Sequence, residues 1–169
     1  MSMIGSFLLV EDETLGRLLE APESIHALLE ERVQQAEAPK DYVDVDKAWH
    51  ALHFLLTSTA WEGEPPLDFI ASGGACIGEE DVGYGPARAL RKEAVVSLAR
   101  ALEGITTATL VERYDGRKMA QLEIYPQGWT DLDPRNGDEF GYFTSAFEDL
   151  AALVRKGAAT GRGLLVWIS

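Results

Sequence analysis

The segment of residues 46–59, DKAWHALHFLLTST, constrains the fold of this chain most strongly. At about 100° per residue its apolar side chains form one broad stripe, which predicts a helix packed against the interior. Asp44 is a favourable N-cap for that helix. The polar side chains are predicted to share one edge of the stripe, and they are Asp46, His50, His53 and Thr57. Because polar groups at a half-buried boundary need hydrogen-bond partners, a site in this protein is expected here.

The rest of the chain predicts a single, mainly helical α+β domain covering residues 1–169. Apolar segments near the two termini, MIGSFLLV and GLLVWIS, are predicted to be strands that pair with each other. Amphipathic patterns between them predict further helices at 13–20, 22–38, 91–105, 106–114 and 138–159, and 119–126 is predicted to be extended. Asp12 is the expected N-cap of the first of these helices. The residues expected to face inward are Ile25, Leu28, Leu29 and Val33 in the second helix and Val95, Leu98, Ala99 and Leu102 in the third. Strands and helices do not alternate regularly, which argues against a doubly wound sheet.

The net charge of −13 arises entirely in the first half of the chain. Residues 1–85 carry 17 acidic and 4 basic side chains, whereas residues 86–169 carry 11 of each. An acidic surface repels nucleic acid and anionic membranes and attracts a basic partner. Solubility alone also accounts for this charge.

The location predicted from the sequence is the cytoplasm. Cys76 is the single cysteine, so neither an intramolecular disulfide nor a cysteine zinc site is expected. The N-terminal apolar run has no basic residue before it and is too short for a signal peptide. No apolar stretch approaches the length that crosses a bilayer.

Two sets of residues could carry chemistry, but neither completes a known motif. Asp46, His50 and His53 are spaced at i, i+4 and i+7, so they could converge on a metal ion, but the H-E-x-x-H arrangement is absent. We therefore expect structural histidines, no metal and no cofactor. Cys76 could pair with His53 as a thiolate nucleophile, although no third residue that would orient the pair is evident.

The glycine-rich region predicts turns and close backbone packing. GGACIG at 73–78 lacks the lysine and hydroxyl residue of a P-loop, and GYG at 83–85 does not match a dinucleotide-binding fingerprint. Close approach to the Trp49 helix is the simpler explanation for these glycines. Arg88 follows the second loop, where it could contact an anion or, as we favour, form an ion pair with Asp46 or a loop carboxylate.

Three segments together resemble the YfbM-like family of small bacterial proteins, a domain of unknown function. They are DKAWHALHFLLTST, SGGACIGEEDVGYGPARAL and LEIYPQGW, in this order, and the resemblance covers nearly the whole chain. The family pattern places its characteristic residues here at Trp49, His53, Thr57, Gly73, Gly74, Ile77, Gly78, Gly83, Tyr84, Gly85, Pro86, Arg88, Tyr125, Pro126 and Trp129. Ser58 and Ala89 depart from it, at positions where glycine and an aromatic residue are common. The resemblance implies a fold and no established reaction.

Two hypotheses for function follow. The first is a non-enzymatic acidic binding protein that masks a basic partner, such as a toxin or a nucleic-acid-binding protein. The second is a small-ligand or metal pocket, with hydrolase activity as one form of it, between the histidine helix edge and the glycine loops. The residues expected to line that pocket are Trp49, His50, His53, Thr57, Gly73, Gly74, Tyr84 and Arg88.

Overall fold

A computed structural model describes residues 2–35 and 41–169 of the protein, and these contain seven α-helices and one five-stranded sheet. The strands are β1 (Gly5–Glu11), β2 (Tyr42–Asp44), β3 (Ala75–Cys76), β4 (Arg88–Leu90) and β5 (Arg162–Ile168). The helices are α1 (Asp12–Glu20), α2 (Ile25–Gln35), α3 (Trp49–Thr57), α4 (Lys92–Glu103), α5 (Thr107–Arg113), α6 (Gly116–Gln121) and α7 (Gly137–Thr160). Short 3₁₀ turns lie at Pro22–Ser24, Asp46–Ala48, Leu67–Ile70 and Trp129–Asp131. The predicted α+β class is confirmed.

The sheet is antiparallel throughout, with the strand order β2-β1-β5-β4-β3. The predicted pairing of the first and last strands is confirmed, with a register that runs from Gly5 opposite Ile168 to Glu11 opposite Arg162. Strands β2, β3 and β4 are not predicted by the sequence, because two or three residues are too few to establish an alternating pattern.

Both faces of the central strands are covered. Phe7 and Leu9 of β1 belong to the larger core, which contains α3, α4 and α7. Leu8 and Val10 point to the opposite face and belong to a smaller core under α1 and α2. Because successive side chains on a strand alternate between faces, only a strand covered on both sides is apolar at consecutive positions. This explains the unbroken apolar run FLLV in β1.

Helix α3 is enclosed on all sides, and every residue from Trp49 to Leu56 is buried. The predicted half-buried edge is therefore wrong, since His50 and His53 are 1% and 0% exposed. Main-chain atoms of the segment after α3 and of the Ile124–Tyr125 turn contact the imidazole rings and replace solvent there. A helix that is apolar all round is typical of a protein interior.

Helices α4 and α5 confirm the sequence patterns. The four α4 residues predicted to face inward are all buried, namely Val95, Leu98, Ala99 and Leu102. Thr106 caps α5 through a reciprocal capping box with Thr109. Within the described residues no single helix is long and apolar enough to span a membrane, and the α4–α5 pair meets that test only across a 78° bend.

Three details differ from the sequence predictions. The prediction that 119–126 is extended is wrong, because α6 continues to Gln121 and turns follow it. The carboxylate of Asp12, predicted to cap α1, instead accepts a hydrogen bond from the Lys92 N–H at 2.9 Å, at the first residue of α4. In α2 only Ile25 is buried, and the predicted end of this helix at 36–38 lies outside the described residues.

Candidate binding site

A pocket of about 150 Å³ opens beside the end of β5, between α3 and the loops that precede β4. Four aromatic side chains and a buried arginine contribute to its wall: Trp49, Trp61, Tyr84, Trp167 and Arg88. The pocket therefore combines large apolar surfaces with a single positive charge. We call it the aromatic pocket.

Two of these aromatic side chains project toward solvent. Trp61 is 55% exposed and Tyr84 is 44% exposed. Among the described residues only two other large hydrophobic side chains are comparably exposed, Leu122 and Tyr142, and neither contributes to this pocket. Exposed apolar side chains that share one concave site mark a binding surface, whereas scattered ones need no explanation.

His50 and His53 hold the segment that carries Trp61. The Nε2–H of His50 donates to the Ala60 carbonyl at 2.7 Å, and that of His53 donates to the Glu62 carbonyl at 2.8 Å. These carbonyls belong to the residues immediately before and after Trp61. A carbonyl can only accept, so both Nε2 atoms carry the proton. The two imidazoles thus fasten the main chain on either side of the exposed tryptophan.

Both histidines are neutral at neutral pH. Burial is the main cause that lowers the pKa of His50, and burial lowers the pKa of His53 to about 4. The Nδ1 of His50 accepts a hydrogen bond from the Tyr125 N–H at 2.9 Å, so both of its ring nitrogens are engaged. The Nδ1 of His53 is buried and has no partner among the described residues. This bonding pattern suits a structural role better than proton transfer.

The ring of His50 also supports the tryptophans. It stacks on Trp49 with a centroid separation of 4.7 Å and an interplanar angle of 7°. Its centroid lies 4.5 Å from that of Trp61, and the two tryptophan centroids are 5.8 Å apart. A three-ring cluster therefore fixes the position of the Trp61 side chain as well as that of its main chain.

Arg88 is 8% exposed and bonds to main-chain carbonyls. Its guanidinium donates to Phe69 at 3.1 Å and also to Gly73 and Ile70. The predicted ion pair with Asp46 or a loop carboxylate is wrong, since no carboxylate in the described part of the chain lies within ion-pair distance of Arg88. Burial is the main cause that lowers the pKa of this guanidinium.

The remaining predicted residues lie apart from the pocket wall. Asp46 is exposed in a 3₁₀ turn and accepts a hydrogen bond from the Tyr142 hydroxyl at 2.9 Å, so it does not join the histidines. Residues 2–35 and 41–169 contain no group of three or more His, Cys, Asp or Glu arranged to hold a metal ion. Cys76 is exposed on β3, and none of the hydrogen bonds in the described residues links it to His53.

The threonine and the two glycines that were predicted to line the pocket contact main-chain groups elsewhere. Thr57 donates to the His53 carbonyl at 2.8 Å, which ties its side chain to the preceding turn of α3. Gly73 supplies a carbonyl to Arg88, and a Cβ at Gly74 would lie 2.8 Å from the Ala89 carbonyl oxygen. The predicted packing of these glycines against the Trp49 helix is wrong; the glycine that abuts Trp49 is Gly5.

Comparisons with known proteins place the chain in a family. The sequence profile of a family described as "Domain of unknown function (DUF1877)" matches residues 1–167. The chain belongs to this family. It is similar to Protein YfbM of Escherichia coli strain K12, with 27% identity over 172 residues that cover 99% of each chain. The resemblance stated from the sequence motifs is confirmed.

A solved structure shares the fold. The crystal structure described as that of a protein of unknown function, YfbM from Escherichia coli, superposes with a TM-score of 0.69. The alignment covers 98% of this chain and 99% of that one, at 24% identity. This likeness supports the α+β architecture and carries no information about activity.

Part of the pocket is predictable from the sequence. Three of the predicted residues contribute to the wall, namely Trp49, Tyr84 and Arg88, and the ring of a fourth, His50, stacks on Trp49. Trp61 is not among the predicted residues, although a tryptophan in a loop rich in acidic residues, proline and glycine is itself a sign of exposure. Trp167 lies within a strand pattern and gives no such sign.

Proposed function

We propose that this protein is a non-enzymatic binding protein of the cytoplasm that recognises a basic protein partner through the aromatic pocket. The observation that carries the proposal is Trp61, which is 55% exposed while its neighbouring carbonyls are fixed by His50 and His53. A tryptophan held in place before binding loses little conformational freedom on association. Tryptophan is also among the residues that most often dominate the free energy of protein interfaces.

The size of the pocket favours insertion of one side chain of the partner. A cavity of about 150 Å³ admits a molecule as large as benzene. Arg88 contributes a positive charge to the wall, and its hydrogen bonds to three carbonyls hold the guanidinium in place. This charge disfavours a cationic side chain, and the aromatic wall matches an aromatic or aliphatic one.

Acidic side chains surround the aromatic pocket, so a partner surface of complementary charge would be basic. Glu62 and Glu64 are exposed next to Trp61, and Glu79, Glu80 and Asp81 are exposed in the segment that leads to Tyr84. The sequence has no lysine or arginine between Lys47 and Arg88. Basic residues of a partner would meet this acidic rim, which steers association and selects the sign of the partner's surface. A basic toxin is one class of protein with such a surface.

The alternative of a small-ligand or metal pocket with hydrolase activity has less support. A pocket of this size admits a ring-sized molecule, but a metal ligand or general base needs a ring nitrogen directed at the ligand. Both Nε2 atoms are occupied by carbonyls, and the one unpartnered nitrogen, Nδ1 of His53, is buried.

The proposal is tested by capture followed by titration. The tagged protein is used at low salt to capture proteins from a bacterial lysate, and each captured protein is identified, purified and titrated alone. We expect a basic partner whose affinity falls at high salt and falls about 30-fold or more in Trp61→Ala. Leu122→Ala, which removes another exposed side chain outside the pocket, serves as the control and should leave the affinity unchanged. An acidic partner, or equal binding by Trp61→Ala, would contradict the proposal.

A further inference from the structure

A second cleft, of about 530 Å³, lies between β4, the start of α4 and the loop before the Leu67–Ile70 turn. Its apolar wall is formed by Pro65, Pro66, Ala89, Leu90 and Ala94. Two charged residues also contribute to the wall, Asp68 and Arg91. We call it the Asp68 cleft, and its volume lies within the range of small-molecule sites.

Asp68 is only 9% exposed, yet its carboxylate accepts no hydrogen bond from any other residue in the described part of the chain. Its own N–H is the sole hydrogen-bonding group that lowers its pKa, and burial, the largest cause, raises that pKa overall. No oxygen of this carboxylate is among the side-chain atoms of the described residues that are both unpartnered and shut off from solvent, so it is open to a donor that enters the cleft. The position is therefore suited to a partner supplied from outside.

Arg91 in the cleft wall and Arg88 nearby are both already engaged by other groups. Arg91 donates two hydrogen bonds to the carboxylate of Asp12, at 2.9 and 2.8 Å. Arg88 donates to three main-chain carbonyls and, although its charge lowers the pKa of Asp68, forms no ion pair with it in the described residues. Glu64 is close enough to raise the pKa of Asp68 and adds a second negative charge.

We propose that the Asp68 cleft binds an organic cation, a molecule with an apolar body and one ammonium or amidinium group that donates to the Asp68 carboxylate. A carboxylate is only an acceptor when ionised, so its complement is a donor, and a charged donor forms the stronger bond. The prolines, Ala89, Leu90 and Ala94 supply the apolar surface for the body of the ligand. This site is independent of the aromatic pocket and of the proposed protein partner.

Benzamidine is a suitable probe because it joins a flat apolar ring to a charged amidinium. In ¹H–¹⁵N spectra of the full chain we expect saturable shifts of Gly74, Ala94 and Ser97, which all contribute to the cleft. Benzoate, which has the opposite charge on the same ring, should leave these resonances in place. Asp68→Asn should weaken benzamidine binding about ten-fold, as expected for loss of a charged hydrogen bond. Trp61→Ala should bind benzamidine as the parent does.

A steric variant keeps the test decisive if Asp68→Asn fails to fold. Ala94 is exposed on α4, so Ala94→Leu should fold and fill part of the cleft while leaving Asp68 intact. Ala152→Leu places the same side chain at an exposed position of α7 and is the matched control. Loss of binding in Ala94→Leu alone supports the proposal. Unshifted resonances in the parent, equal shifts with benzoate, or full binding by Asp68→Asn or Ala94→Leu would overturn it.

Discussion

The two loops that bring exposed aromatic residues to the pocket are held in different ways. The Trp61 loop, residues 58–62, is held by side chains from the core, because the imidazoles of His50 and His53 donate to its carbonyls. The Tyr84 loop, residues 81–85, is held from within by the carboxylate of Asp81, which accepts from the Gly83 and Gly85 N–H groups at 2.7 and 2.9 Å. The Tyr84 N–H also donates to the Ile168 carbonyl at 3.0 Å.

This difference determines what each loop depends on. The Trp61 loop is coupled to the global stability of the protein, because its supports lie in a fully buried helix. The Tyr84 loop depends on exposed groups and on a turn that needs glycine. The loops should therefore respond differently to mutation and to pH.

Removal of the His53 ring should have the largest effect. His53→Ala deletes a buried hydrogen bond to Glu62 and leaves a cavity in the core, so we expect a loss of about 4 kcal/mol in the free energy of unfolding. Urea unfolding measures this loss. Asp81→Ala, which removes the support of the other loop at an exposed position, should cost much less. Equal losses in the two variants would contradict the contrast between the loops.

As the pH falls, protonation should weaken the groups that hold the Trp61 loop before it weakens those that hold the Tyr84 loop. His53 has a pKa of about 4 when folded and near 6.5 when unfolded, so the unfolded chain binds more protons between these values. The stabilisation is complete above pH 6.5 and is lost as the pH falls toward 4, by roughly 3 kcal/mol for this group. The lowered pKa of His50 adds in the same direction, whereas the N–H groups of Gly83 and Gly85 lower the pKa of Asp81, which titrates at lower pH.

The measurement is the free energy of unfolding from pH 7 to 4, obtained from urea curves in the parent and in His53→Ala. The variant should show a shallower decline, because one of the two protonation sites is missing. The same slope in both proteins would show that His53 is not the group responsible.

Substitution of a glycine in the Tyr84 loop tests how much the close packing of the main chain there contributes to the free energy of unfolding. Gly83 has φ near +149°, and a Cβ there would lie 2.5 Å from the Cα of Ser169. Gly83→Ala should therefore cost about 2 kcal/mol in unfolding free energy. Gly85→Ala is the matched control, since Gly85 also has positive φ but a Cβ there would meet nothing within 4 Å. If Gly85→Ala proved as costly as Gly83→Ala, close packing would not be the cause.

Trp61→Ala should have the smallest effect on stability. More than half of this side chain is exposed, so the unfolding free energy should change by no more than about 1 kcal/mol. Thermal unfolding provides the comparison with the parent. A much larger loss would mean that Trp61 is a structural residue, and its assignment as the main binding residue would fail.

The fold was largely predictable because its long elements have strong patterns. The terminal strands, α4 and α7 have consecutive or periodic apolar residues that determine both the element type and the buried face. The short strands β2 and β4 pair with β1 and β5, and β3 pairs in turn with β4, so each depends on a neighbouring edge that no local pattern reveals. The prediction for 119–126 is wrong for a similar reason, since α6 has only six residues and is too short to show a helical pattern.

The site was predictable only in part, because helical geometry does not determine what covers a helix. The periodicity correctly placed His50 and His53 in a helix but left their exposure undetermined. Their burial depends on the Trp61 loop and on Tyr125, which is 75 residues distant from His50 in sequence. Likewise, the position of Arg88 after the glycine loop predicts that it lies near the pocket. It does not predict the three main-chain carbonyls that accept hydrogen bonds from its guanidinium.

Whether two neutral imidazoles hold the Trp61 loop can be measured by NMR of the imidazole nitrogens. Long-range ¹H–¹⁵N spectra give the tautomer and the pKa of each histidine. We predict that His50 and His53 carry the proton on Nε2 at neutral pH, that the pKa of His50 is lowered by burial, and that His53 has a pKa of about 4. A proton on Nδ1 at neutral pH, or titration of both rings near pH 6.5, would contradict the account.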